Sequence, residues 1–269
     1  MDNEIKNSNL PKIMFGFDKE WEIENWYDSC IKNISYNVGV NTAWDLGSIP
    51  QDVKIVIKDG ISEEKIKPKL AKILDNFLKT QEALSIIKKV RDKAESNWGK
   101  IDKFFFPALL KMLDLSIEEI EKKYYAYFTF GKRCPFSDNK FMFSQFVSFV
   151  THASHEIMHI EFLKKYHKYC LNKGLTEKQV QHLKEILTVL LNEDMKDFLS
   201  VPDRGYDGHK KIREEILKMY KEHKKTKQNF TVFLDNSIYL LEKIPKKQRW
   251  EYCKFLFGDE KPAKNKKIP

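Results

Sequence analysis

The sequence predicts an α+β fold, predominantly helical, on three observations. Apolar residues recur at helix spacing over much of the chain after Ser62, as in Ile66, Leu70, Ile73, Leu74, Phe77 and Leu78. Short runs rich in aromatic or β-branched residues read as strands: Ile13 to Phe17, Val53 to Ile57, Tyr124 to Phe130 and Lys140 to Ser144. Hydrophobic residues make up 42% of 269 positions, with only ten Gly and nine Pro, which suits a chain with a sizeable core.

In chain order, Asp59-Gly60 marks a turn after the second of these runs. From Ser62 to about Ser96 the pattern is helical, and Pro68 falls early enough for a first turn. Trp98-Gly99 breaks it, Phe104 to Leu113 is a buried apolar segment, and Ser116-x-x-Glu119 predicts the start of a short helix through a capping box. Gly131 to Asn139 reads as a loop. A helix over about Gln145 to Tyr169 is ended by Asn172-Lys173-Gly174. Thr176-x-x-Gln179 caps the next, which is expected to run to about Leu199. Pro202 to Gly208 is a loop, and helices follow over His209 to Lys224, Phe230 to Lys243 and, briefly, Gln248 to Phe257. This divides the chain into an α+β region over 1–100, a second region over 101–258 and a basic tail over 259–269 without apolar anchors, expected to be disordered.

The net charge is +9, but the lysines are spread along amphipathic helices, which reads as solvated faces rather than a nucleic-acid surface. Cys30, Cys134, Cys170 and Cys253 form no C-x-x-C pair, so they read as reduced thiols. The first twelve residues hold no apolar signal segment, and no run approaches the roughly 18 apolar residues of a membrane span. The expectation is a soluble, cytoplasmic protein with no membrane partner.

The most informative stretch is His155-Glu156-Ile157-Met158-His159, which reads H-E-x-x-H. Imidazoles four residues apart share a helix face, roughly 5–6 Å apart at Cβ. Both can grip one zinc ion through ring nitrogens, and the glutamate between them stands at the rim, where it can take a proton from water. A catalytic zinc needs a third protein ligand. Phe162 and Lys165 occupy the positions at which a longer motif would place Gly and His. His167 lies eight residues past His159 and off its face, and His152 lies on the wrong side, as a hydrogen-bonded or solvent-facing residue. On the next helix, Glu193 continues the apolar stripe of Ile186, Val189 and Leu190, with Asp197 one turn further. Carboxylates on a core-facing stripe are costly unless they meet a cation. A zinc held by Glu193, with Asp197 bonded to a liganding imidazole, resolves that cost.

H-E-x-x-H followed by a helix carrying Asn192-Glu193-Asp194-Met195-Lys196-Asp197 resembles the gluzincin zinc metallopeptidases, and the compact core is similar to the minigluzincins. The resemblance covers about residues 124–210. It implies a zincin-like catalytic region within 101–258, with a small sheet and an active-site helix followed by a glutamate helix. It implies one zinc per chain on His155, His159 and Glu193, with Asp197 hydrogen-bonded to His155 and Asn192 to His159. It also implies a peptide or protein substrate and Glu156 as general base. Tyr206 and His209, with Arg204 behind them, are the candidates for stabilising the oxyanion from the 203–209 loop. The alternative is a basic helical interaction or nucleic-acid-binding protein whose zinc site is structural or degenerate.

Overall fold

The computed structural model of the chain describes residues 10–31, 47–58 and 62–243. In order these form β1 (Lys12–Gly16), α1 (Lys19–Ile31), α2 (Gln51–Lys58), α3 (Glu63–Phe77), α4 (Gln81–Trp98) and α5 (Asp102–Leu113). There follow β2 (Lys123–Phe128), β3 (Phe136–Ser137), β4 (Lys140–Phe143), α6 (Phe149–Asn172), α7 (Glu177–Leu187), α8 (Leu191–Asp194), α9 (Lys210–His223) and α10 (Phe230–Lys243). The fold is α+β and mostly helical. Among these residues no helix is long and apolar enough to cross a membrane. The expected helix near Gln248 to Phe257 and the 259–269 tail lie outside the described residues.

The sheet has the order β1-β2-β4-β3. β1 and β4 run parallel to β2, in the registers Met14↔Tyr125 and Ala126↔Phe141. β3 returns antiparallel to β4 with Phe136 opposite Phe141. The turn between them places Asp138 at φ 52°, a left-handed conformation that Asp tolerates better than most residues. The expected loop over 131–139 therefore holds a two-residue edge strand.

Because β1 pairs with β2, residues 12–16 complete the sheet of the later part of the chain. Trp98, on α4, packs edge-on against Phe105, Phe106 and Phe149. The core is thus continuous across the boundary expected at residue 100. Glu22 on α1 is fully buried beneath the end of β2, its Oε1 accepting from Trp26 Nε1 at 2.5 Å and from the Phe130 amide at 3.0 Å.

Two local expectations are corrected, and a third is refined. Residues 53–57 are helical, in α2, and not a strand. In a strand, residues 53 and 55 would share a face. Here Val53 is buried while Ile55 is 64% exposed. Pro50 immediately precedes the helix, and its carbonyl accepts from the Val53 amide at 3.1 Å. Ser116 starts a turn rather than a helix, its amide donating to Glu119 Oε2 at 2.8 Å. The helical stretch over 62–96 is two helices, parted where Thr80 caps α4 by accepting from the Ala83 amide.

α6 carries His155, Glu156 and His159. It begins just after β4 and is pinned at mid-length by two hydroxyls. Tyr124 of β2 donates to Glu161 Oε1 at 2.5 Å, and Tyr166 donates to the Leu113 carbonyl at 2.6 Å. α7 begins at the Thr176/Gln179 capping box, formed in both directions. It ends at Leu187, where a 3-10 turn over Thr188–Leu190 leads into the short α8. The uninterrupted helix expected from 176 to about 199 is thus broken in its middle.

Candidate metal centre

His155 and His159, one turn apart on α6, bring their ring centroids to 4.2 Å. Glu185, on the buried side of α7, completes a cluster. Its Oε2 lies 3.4 Å from His155 Nε2 and 3.2 Å from His159 Nε2. One ligand atom from each of these three residues falls within 4.8 Å of the others, a separation that could hold a metal ion. His159 is buried, and His155 and Glu185 open slightly to solvent, at 17% and 11% of their side-chain surface.

The donor chemistry fits a divalent cation. His159 Nε2, Glu185 Oε2 and Glu156 Oε2 are buried, and none has a hydrogen-bond partner among the described residues. Buried polar groups left unpaired are costly, so three of them in one place mark a position for a ligand.

His155 is oriented from behind. Its Nδ1–H donates to Asp203 Oδ2 at 2.5 Å, which fixes the tautomer and turns Nε2 toward Glu185. Asp203 is itself held on all sides. Its Oδ1 accepts from Thr188 Oγ1 at 3.0 Å and from Arg213 Nη2 at 2.5 Å. Its backbone exchanges two bonds with the Asn192 amide, both at 2.7 Å. Arg213, 3% exposed, also donates to the Glu185 carbonyl at 2.7 Å, so one guanidinium ties α9 to both the ligand helix and the Asp203 loop. Gly205 makes this closure possible. It has φ +58°, and a Cβ there would stand 2.6 Å from Arg213 Nη1.

Electrostatics follow the geometry. Burial opposes a charge on His155, but the Asp203 carboxylate outweighs it and raises the imidazole to about 10. Burial, with Lys184 nearby, lowers His159 to about 3. Burial raises Glu156 to about 7, against the pull of His155 and Lys184. Glu185 lies well below the ordinary carboxylate range, held there against burial by His159, Lys184 and His155.

Around the cluster, His152 is hydrogen-bonded to the Met142 carbonyl through Nε2 at 2.7 Å, and its Nδ1 lies 3.7 Å from Glu156 Oε1. Phe136, on the edge strand β3, sets its ring 5.5 Å from that of His159. The two-residue strand therefore borders the centre. Cys134 precedes it, and burial, with Glu156 near, pushes its thiol up to about 12.

The structure corrects the expected third ligand. The carboxylate beside the imidazoles is Glu185, not Glu193. Glu193 Oε2 is 3.2 Å from Lys221 Nζ, and the residue lines a separate cavity with Asp114, Asp194, Tyr220 and Phe230. The imidazoles meet α7 about two turns before Glu193, roughly 12 Å of helix rise, and on a face about 100° round from Ile186. The apolar stripe through Ile186 therefore points at the wrong residue. Asp197 is exposed in the turn after α8, and Asp203 takes the place beside His155 that was expected of it. Asn192 supports Asp203 rather than His159, whose Nδ1 has no hydrogen-bond partner among the described residues.

Of the oxyanion candidates, His209 is buried, its Nε2 3.1 Å from His182 Nδ1, and burial lowers it to about 3. Tyr206 is half-buried and packs edge-on against the His209 ring at 5.8 Å. Arg204 is exposed. Sequence reasoning passed over Glu185, Asp203, Arg213 and Lys184. Glu185 carried no clear signal, since it is one of seven buried residues of α7, polar and apolar alike. Comparison with family models, curated proteins and solved structures gives no match.

Proposed function

We propose that the chain is a zinc-dependent hydrolase of peptide bonds, with His155, His159 and Glu185 holding the ion and Glu156 serving as general base. The observation that carries this reading is the convergence of His155 Nε2, His159 Nε2 and Glu185 Oε2, with the unpartnered Glu156 Oε2 buried on the same helix. Two imidazoles and one carboxylate suit zinc, and three protein ligands are the number found in catalytic rather than structural sites. When bound, zinc supplies Lewis acidity, polarising a carbonyl and lowering the pKa of a coordinated water.

The rest falls to the chain's own groups. Asp203 holds His155 in the tautomer that presents Nε2. Glu156 takes the proton of the attacking water on its carboxylate and passes it to the departing amine nitrogen. β3, whose outer edge faces no other strand among the described residues, offers backbone groups for an extended peptide beside His159.

The test is turnover of a proteome-derived peptide library by zinc-loaded protein, with a chelator control and Glu156→Gln. The expected result is cleavage by the parent, its loss on chelation, and a Glu156→Gln variant that keeps zinc but does not cleave. A parent that binds one zinc and cleaves nothing would favour a structural site in a binding protein.

A further inference from the structure

Glu185 has two carboxylate oxygens, and the chain treats them differently. Oε2 faces the two imidazoles and makes no hydrogen bond. Oε1 accepts from the Lys184 ammonium at 2.5 Å. Lys184 is only 5% exposed, and its Nζ lies 4.9 Å from the centroid of the Phe136 ring. Lysine is almost never this buried unless paired, and the cation–π contact helps hold it on the inner side of the edge strand. A positive charge next to a cation site opposes cation binding, so electrostatic attraction does not explain its place. What the contact fixes is the carboxylate.

We infer that Lys184 is a positioning residue that keeps Glu185 a one-oxygen ligand. This rests on the zinc-site reading above. With Oε1 occupied by an ammonium, only Oε2 is free to meet the ion that His155 and His159 share. Two consequences follow. The coordination number stays low, which suits zinc and disfavours cations that seek six or more oxygen ligands. The ammonium also cancels the Glu185 charge, and hard cations such as Ca2+ and Mn2+ depend most on charged oxygens. Lys184 thus sets metal selectivity without touching the metal.

The experiment is Co2+ titration of metal-free full-length protein, read by visible absorption, with Zn2+ and Mn2+ competing. It is run on the parent, Lys184→Met and Lys184→Arg. Methionine keeps an apolar stem over Phe136 but removes the ammonium, and arginine keeps a charged donor. The expected result is the intense bands of low-coordinate Co2+ in the parent and in Lys184→Arg. Lys184→Met should show weaker, higher-coordinate bands and a zinc-over-manganese preference reduced about tenfold, the lower end of what outer partners of metal ligands contribute. Parent-like bands and preference in a folded Lys184→Met protein would overturn the role of Lys184 while leaving the metal site standing. Weak, six-coordinate bands in the parent would overturn it without any variant. A parent that takes up no Co2+, or whose spectrum is unchanged by His155→Ala, would overturn the metal site and this inference together.

Discussion

His155 Nδ1 and Asp203 Oδ2 lie 2.5 Å apart across 48 residues of sequence, and this contact aims the imidazole. Asp203 is 7% exposed and is itself fixed by Arg213, Thr188 and Asn192. The ring is therefore held by a carboxylate that has little freedom to move. Such partners of metal-bound histidines typically contribute 10- to 100-fold in metal affinity, about 1.4–2.7 kcal/mol.

Asp203→Asn keeps an oxygen for Thr188 and Arg213 but leaves the buried Arg213 charge without its partner, so it should lower stability and, in the folded protein, weaken zinc binding by about one order of magnitude or more. Competition against a chromophoric chelator measures this directly. Zinc affinity equal to that of the parent would mean that the Asp203 contact does not orient a ligand.

Gly205→Ala should damage the centre from a distance. A Cβ at φ +58° is strained, and it would also collide with the Arg213 guanidinium at 2.6 Å. Arg213 is buried and cannot step aside without releasing Asp203 and the Glu185 carbonyl. The expected loss is about 2–4 kcal/mol of stability, within the range for strain combined with a disturbed buried ion pair. Urea unfolding would register it, and a change within about 0.5 kcal/mol would show that the loop accommodates a side chain.

How much of this centre could be read in advance differs from residue to residue. His155, Glu156 and His159 were legible because they lie on one helix, where spacing alone decides which side chains share a face. Phe230 was legible as a helix start for the same reason, and α10 begins there. Glu185 was not, because it stands off the apolar stripe in a stretch, His182 to Leu187, where every residue is buried, so hydrophobic spacing cannot single it out. Asp203 and Arg213 reach the centre through tertiary contacts that no local pattern encodes. The 53–57 run shows the same limit. Its β-branched composition suggests a strand, yet packing buries Val53 and leaves Ile55 in solvent, which selects a helix.

The two glutamates can be separated by one paired substitution. Glu185→Ala should abolish stoichiometric zinc binding, since it removes one of the three proposed ligands. Glu193→Ala should leave zinc binding within about twofold of the parent, because its ion pair with Lys221 is half-exposed and such pairs contribute at most about 1 kcal/mol to stability. Equilibrium dialysis with zinc analysis reads both. Loss of zinc in Glu193→Ala with retention in Glu185→Ala would reverse the assignment.

Far from the metal centre, Glu22 should give the chain an identifiable dependence of stability on pH. Burial raises its carboxyl from 4.5 to about 7, against the opposing pull of Thr129, Phe130 and Trp26. Below about pH 4.5 the group is protonated both folded and unfolded, and it exacts no penalty. Between about 4.5 and 7 the unfolded chain releases the proton while the folded chain keeps it, so stability falls as pH rises. Above about 7 the loss is complete, at roughly 3 kcal/mol for a displacement of this size. Glu22→Gln removes the titration while leaving an oxygen to accept from Trp26 and Phe130. The stability of the variant relative to the parent should therefore rise by roughly 3 kcal/mol between pH 4 and pH 8. Chemical unfolding of both proteins across that range measures the difference, and a constant offset at every pH would show that Glu22 is not held protonated by burial.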